Sequence, residues 1–67
     1  MYSVKKIDNE YLLVSANGAE TFSITNINDL LTAGKLSPYY IMVLETARIM
    51  INSKIEGVIT TPKNLIA

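Results

Sequence analysis

The dipeptide Asn17-Gly18 is the feature that most limits how this chain folds. It separates two segments rich in β-forming residues, and it favours a tight hairpin turn because such a turn requires positive φ angles, which Asn tolerates and Gly adopts freely. If the turn has two residues, the pairing register is fixed. Leu13 then lies opposite Phe22, and Tyr11 lies opposite Ile24.

A third strand is predicted before this hairpin. Residues 2–7 join it through a turn at Asp8-Asn9, which places Val4 opposite Leu13 and Lys6 opposite Tyr11. Both turns then direct the same apolar set to one face of the sheet, which we predict to be the core face: Tyr2, Val4, Tyr11, Leu13, Phe22 and Ile24. Leu12 and Val14 fall on the opposite face, which is a second candidate surface for contacts with another chain.

Two helices are predicted after the sheet. Asn26 is a suitable N-cap for a short helix over about residues 27–33, and Gly34 supplies the left-handed residue that follows a helix end. Ser37-Pro38 then begins a longer helix, because a hydroxyl cap followed by proline is a preferred helix start. This helix is predicted to reach about residue 54 or 55 and to end before Gly57.

The residues after Gly57 have two interpretations. Val58-Ile59-Thr60 forms either a short fourth strand or an extended return segment, and Pro62 stops regular pairing. The predicted fold class is therefore α+β, a three-stranded antiparallel meander followed by a short and a long helix, with the fourth strand left open. With 67 residues, we expect one domain over residues 1–67.

A chain this short usually needs a source of stability besides its hydrophobic core. A chain of this length buries only about 60% of the surface that its unfolded form exposes. With no cysteine and no histidine, disulfides and an ordinary structural zinc site are both excluded. Oligomerisation is the remaining means of stabilisation, and an apolar fraction of 49% with only 18% charged residues favours it.

The same composition argues against catalysis. Without histidine or cysteine there is no imidazole base, no thiolate nucleophile and no ordinary transition-metal ligand set. The small acidic cluster at residues 8–10 lacks the alternating ligands of a calcium loop, so we interpret it as a solvated turn. We therefore predict no enzyme activity, no cofactor and no metal ligand.

Charge and hydropathy restrict the partners. Six basic and six acidic residues give a formal net charge of zero, so nucleic acid is not an expected partner. The longest apolar run, residues 39–44, is far shorter than the roughly 20 residues of a membrane span. We expect no membrane partner and, from the absence of cysteine, a cytoplasmic location. The alternative function is a small nucleic-acid-binding transcriptional regulator that uses Lys5, Lys6 or Arg48.

The long helix carries more apolar surface than a small sheet can cover. One wide arc of its wheel faces the sheet and consists of Tyr40, Val43, Leu44, Ala47, Met50, Ile51 and Ile55. Met42 and Ile49 fall on nearly the opposite side, near Tyr39 and Ile41. These four residues, the outer seam, are the predicted partner-binding residues. The competing interpretation is that the short helix folds over the outer seam and completes the core.

The outer seam leads to a functional hypothesis. We expect a non-enzymatic interaction protein, a homodimer, that binds or inhibits a partner protein through this seam. The abundance of Ile, Asn and Lys is typical of AT-rich genomes, which fits an accessory protein of a phage or mobile element.

Overall fold

Six elements follow one another in the order β-β-β-α-α-β in the computed structural model, which describes residues 1–60. The strands are β1 (Tyr2–Ile7), β2 (Glu10–Ser15), β3 (Thr21–Phe22) and β4 (Gly57–Ile59), and the helices are α1 (Ile24–Ala33) and α2 (Pro38–Asn52).

The four strands form one antiparallel sheet in the order β3-β2-β1-β4. The predicted α+β fold is therefore confirmed, and the open question of the last segment is decided in favour of a strand. β4 pairs with the first half of β1, where Tyr2 lies opposite Ile59 and Val4 lies opposite Gly57. Pro62 lies outside the described residues.

The predicted register of the meander is confirmed. Val4 lies opposite Leu13, Lys6 lies opposite Tyr11, and Leu13 lies opposite Phe22. The register agrees because a shift by one residue would turn every apolar side chain of the core face towards solvent.

The predicted turn geometry at Asn17-Gly18 is wrong. Gly18 has a φ of 73°, but Asn17 is not among the described residues with positive φ, so this is not the predicted two-residue turn. The turn in which both central residues have positive φ is Asp8-Asn9, with φ values of 51° and 66°. Instead, the Gly18 N–H bonds the Ser15 carbonyl oxygen at 3.0 Å and closes a turn over residues 15–18, and the loop ends where the Ser15 N–H bonds the Glu20 carbonyl oxygen.

The start of α1 also differs from the prediction. Ser23 is the N-cap instead of Asn26, and Ile24 is the first helical residue instead of a strand residue opposite Tyr11. The cause is a capping box, in which the Ser23 Oγ accepts from the Asn26 N–H at 3.2 Å and the Asn26 Oδ1 accepts from the Ser23 N–H at 3.1 Å. The predicted end at Gly34, with a φ of 73°, is confirmed.

α2 begins at Pro38 behind the Ser37 cap, as predicted, but it ends earlier, at Asn52. The Ile55 N–H bonds the Met50 carbonyl oxygen at 2.9 Å, and the Lys54 N–H bonds the Ile51 carbonyl oxygen at 3.1 Å. This pair of bonds is a Schellman motif, and Lys54 holds its left-handed position with a φ of 56°.

Gly57 therefore does not end the helix. It belongs to β4, and a Cβ atom at this position would lie 3.2 Å from the Met50 Cε. The absence of a side chain lets β4 approach α2 closely.

The core lies between the sheet and the helices. α2 packs against β1, β2 and β4, while α1 packs against α2 and β3. Every element except β3 contributes at least one buried residue to the core, which consists of Val4, Leu13, Ile27, Val43, Leu44, Ala47 and Ile59.

A glutamate side chain continues the sheet just before β4 begins at Gly57. The Lys6 N–H of β1 lies beyond the last pairing with β4, and it donates to the Glu56 Oε1 at 3.0 Å. The carboxylate therefore takes the place of a strand carbonyl at this edge.

The first prediction concerns Lys54. We expect Lys54→Gly to raise the free energy of unfolding by about 0.5–1 kcal/mol, because the left-handed conformation costs an ordinary residue about 1–2 kcal/mol and the greater freedom of unfolded glycine offsets part of that gain. Urea unfolding followed by circular dichroism measures the change. Lys54→Ala is the control, because it removes the charge and keeps the strained φ. A glycine variant no more stable than the alanine variant would contradict the prediction.

The second prediction concerns Glu56. We expect Glu56→Ala to lower the free energy of unfolding by about 1 kcal/mol, since a hydrogen bond to an ionised acceptor is lost. Glu56→Gln keeps an acceptor oxygen and should lose less. A Glu56→Ala variant as stable as the wild type in the same urea titration would show that the Lys6 contact contributes nothing.

Candidate protein-interaction surface

α2 presents its two sides to different environments. Val43, Leu44 and Ala47 are buried against the sheet, and Tyr40, Met50 and Ile51 are half-buried around them. Ile55, which was predicted in the same arc, is 51% exposed. The reason is that α2 ends at Asn52, so the helical wheel no longer applies to residue 55.

The four residues of the outer seam have different surroundings. Tyr39 and Met42 are half-buried and pack against the core cluster. Ile41 is half-buried, and Ile49 is 65% exposed. α1 packs against α2, so part of the outer seam lies within the subunit while Ile49 remains at the surface.

Ile49 belongs to a stripe along the solvent side of α2. Ile41, Glu45 and Ile49 are spaced by four residues, so they lie above one another on successive turns. Arg48 is half-buried beside this stripe, and Asn52 continues it towards the helix end as an exposed residue. The stripe and the adjacent Arg48 therefore combine two isoleucines with an acidic and a basic group that lie three residues apart in the sequence.

The outer face of the sheet is the second candidate surface. Val58, Ser3, Val14 and Thr21 occupy one row across the four strands. Val58 is 59% exposed, whereas Val14 is only 8% exposed. Val14 therefore offers almost no surface for contact with another chain, although it was predicted on this candidate face. Leu12 on the same face is half-buried.

A shallow depression lies at one end of this face. It has a volume of about 180 Å³ and is lined by Met1, Tyr2, Ser3, Ala16 and Val58. This volume is below the roughly 300–1,000 Å³ of typical small-molecule sites, so it does not indicate a ligand pocket.

Lys5, Lys6 and Arg48, the residues named for the nucleic-acid alternative, lie on different elements or different faces. Lys5 and Lys6 are neighbours on β1, so their side chains lie on opposite faces of the sheet. The Lys6 Nζ lies 6.0 Å from the centre of the Tyr11 ring, and Arg48 belongs to α2. Nucleic-acid backbones are bound by clustered cations, which this arrangement does not provide.

Two tyrosines meet where α2 begins. The rings of Tyr2 and Tyr40 are 6.1 Å apart, with an angle of 45° between their planes. Burial raises the pKa of Tyr40 above its ordinary value, and the neighbouring Tyr2 and Glu20 add to this increase. The uncharged phenol is therefore the form that suits this packing.

Residues 1–60 contain no group of three or more histidine, cysteine, aspartate or glutamate side chains placed to hold a metal ion. Within the same range, no helix has the length and hydropathy needed to cross a membrane. The chain matches no protein-family model, no curated protein and no solved structure.

The third prediction follows from Tyr40. A phenol whose folded pKa lies above the unfolded value stabilises the fold fully below about pH 10, and this contribution is lost as the pH rises through the folded pKa. We therefore expect the wild type to lose stability above about pH 10 more steeply than Tyr40→Phe. Urea unfolding of both proteins as a function of pH measures this loss of stability. The difference between their free energies of unfolding at neutral pH gives the effect of the substitution on packing alone. If the two free energies fall in parallel above about pH 10, the raised pKa of Tyr40 is refuted as the cause.

Proposed function

We propose that this chain is a non-enzymatic protein-interaction module that forms a homodimer through the solvent side of α2 and binds or inhibits a partner protein. The observation that supports this proposal is the 65% exposure of Ile49 on the stripe with Ile41 and Glu45. A phage or mobile element that encodes it as an accessory protein is the biological setting that we propose.

Burial of apolar surface supplies the driving force. Complete burial of an isoleucine side chain is worth about 1.5–3 kcal/mol, and a two-fold interface buries each contributing residue twice. Ile49 is mostly exposed and Ile41 is half-exposed, so both have surface left to bury. A small fold, which buries a smaller fraction of its surface than a large one, gains proportionally more from such burial.

The charges on the stripe favour a second copy as the occupant. If the two-fold axis is perpendicular to α2, the two α2 helices run antiparallel, so each residue of one helix can meet a different residue of the other. Glu45 and Arg48 have opposite charges and lie three residues apart. We propose that Glu45 of each copy lies near Arg48 of the other, which makes the surface complementary to itself.

The fourth prediction tests the dimer. We expect the wild type to sediment as a dimer at micromolar concentration and Ile49→Gln to shift towards the monomer, because glutamine keeps helix propensity but removes apolar surface. Ile7→Gln is the matched control, since Ile7 is also exposed but lies at the end of β1. A wild type that stays monomeric over the whole concentration range would refute the proposed dimer.

A charge exchange tests the orientation within the same experiment. Glu45→Arg should weaken association because it places two like charges together, and the double variant Glu45→Arg with Arg48→Glu should restore it. If both variants associate as the wild type does, the antiparallel arrangement is wrong even if a dimer exists.

A further inference from the structure

The loop between β2 and β3 contains a reactive pair of residues. Asn17 and Gly18 are both exposed, and Gly18 has no Cβ atom to hinder an approach to its backbone nitrogen. The loop holds these residues through the Gly18 N–H, which bonds the Ser15 carbonyl oxygen at 3.0 Å. The Asn17 Oδ1 accepts from the Ser15 Oγ at 2.9 Å and from the Ala19 N–H at 3.0 Å.

We propose that Asn17 is a site of spontaneous deamidation and that the folded hairpin loop controls its rate. In the reaction the Gly18 backbone nitrogen bonds to the Asn17 Cγ, and the bond from Cγ to Nδ2 breaks. The Gly18 proton leaves with the amide nitrogen as ammonia. Water then opens the resulting succinimide at either carbonyl, which gives an aspartate or a β-linked isoaspartate.

The folded loop opposes the first step. The Gly18 nitrogen must lose its proton before it can attack, and in the fold that proton is held by the Ser15 carbonyl oxygen. Hydrogen bonds from Ser15 and Ala19 also hold the Asn17 carboxamide in one orientation, so it cannot rotate freely to meet the Gly18 nitrogen. These exposed bonds break in local opening, so the reaction follows the open fraction of the loop.

The two products have different consequences for the sheet. An aspartate keeps an oxygen that can accept from the Ala19 N–H and adds one negative charge to a neutral chain. An isoaspartate adds a backbone atom to the loop, which displaces the pairing in which the Ser15 N–H bonds the Glu20 carbonyl oxygen. The β-linked form is therefore the one that weakens the contact between β2 and β3.

The experiment compares the folded wild type with the same protein unfolded in urea at mildly alkaline pH. Mass spectrometry with fragmentation locates each asparagine that has become aspartate or isoaspartate. Asn52 and Asn28 are internal controls, because they are followed by Ser53 and Asp29 instead of glycine. In urea we expect Asn17 to react fastest of the three, and in the folded protein we expect it to react roughly tenfold more slowly than in urea.

A variant tests the loop bonds directly. Ser15→Ala removes the hydroxyl that contacts Asn17, so we expect faster reaction in the folded protein and an unchanged rate in urea. The comparison of the folded wild type with the unfolded wild type tests the proposal without any variant. Equal rates in the folded and unfolded protein would overturn the control by the loop, and an Asn17 no faster than Asn52 in urea would overturn the site.

Discussion

The packing of α2 on the inner face of the sheet is the contact on which the rest of the structure depends. Val43, Leu44 and Ala47 meet Val4 and Leu13, and this contact holds together segments that are far apart in the sequence. β4 is attached to the same core through Ile59, through its pairing with β1 and through the close approach of Gly57 to α2. α1 depends on it as well, because a ten-residue helix is marginal in isolation and here contributes Ile27 to the shared core.

Several backbone N–H groups that no neighbouring strand or helical turn can pair are bonded by side chains instead. Ser23 and Asn26 close the start of α1, and Ser37 accepts from the Tyr40 N–H at the start of α2. Glu56 supplies the acceptor that β4 is too short to provide. All of these contacts are exposed, so each contributes modestly, but they define the starts of α1 and α2 and extend the sheet edge beside β4.

Sequence reasoning predicted the elements with strong local signals and failed where two signals competed. The prediction matches the structure in the register of β1, β2 and β3 and in the start of α2. The reason is that the apolar alternation of the strands and the Ser37-Pro38 pair each have a single interpretation. At Ser23 and Asn26 both residues are good caps, and the reciprocal pair of bonds favoured the earlier one. For the outer seam, the sequence separated Ile49 from the core arc but did not show that Met42 packs on the core.

The sequence by itself determined the strand register, the two helices and the absence of imidazole and thiol chemistry, because these follow from side-chain period, capping residues and composition. Only the tertiary structure decided which parts of α2 remain exposed and whether the last segment pairs with β1. These features depend on how elements distant in the sequence meet. The Met50 side chain beside Gly57 and the α1 helix beside α2 are contacts that no local pattern encodes.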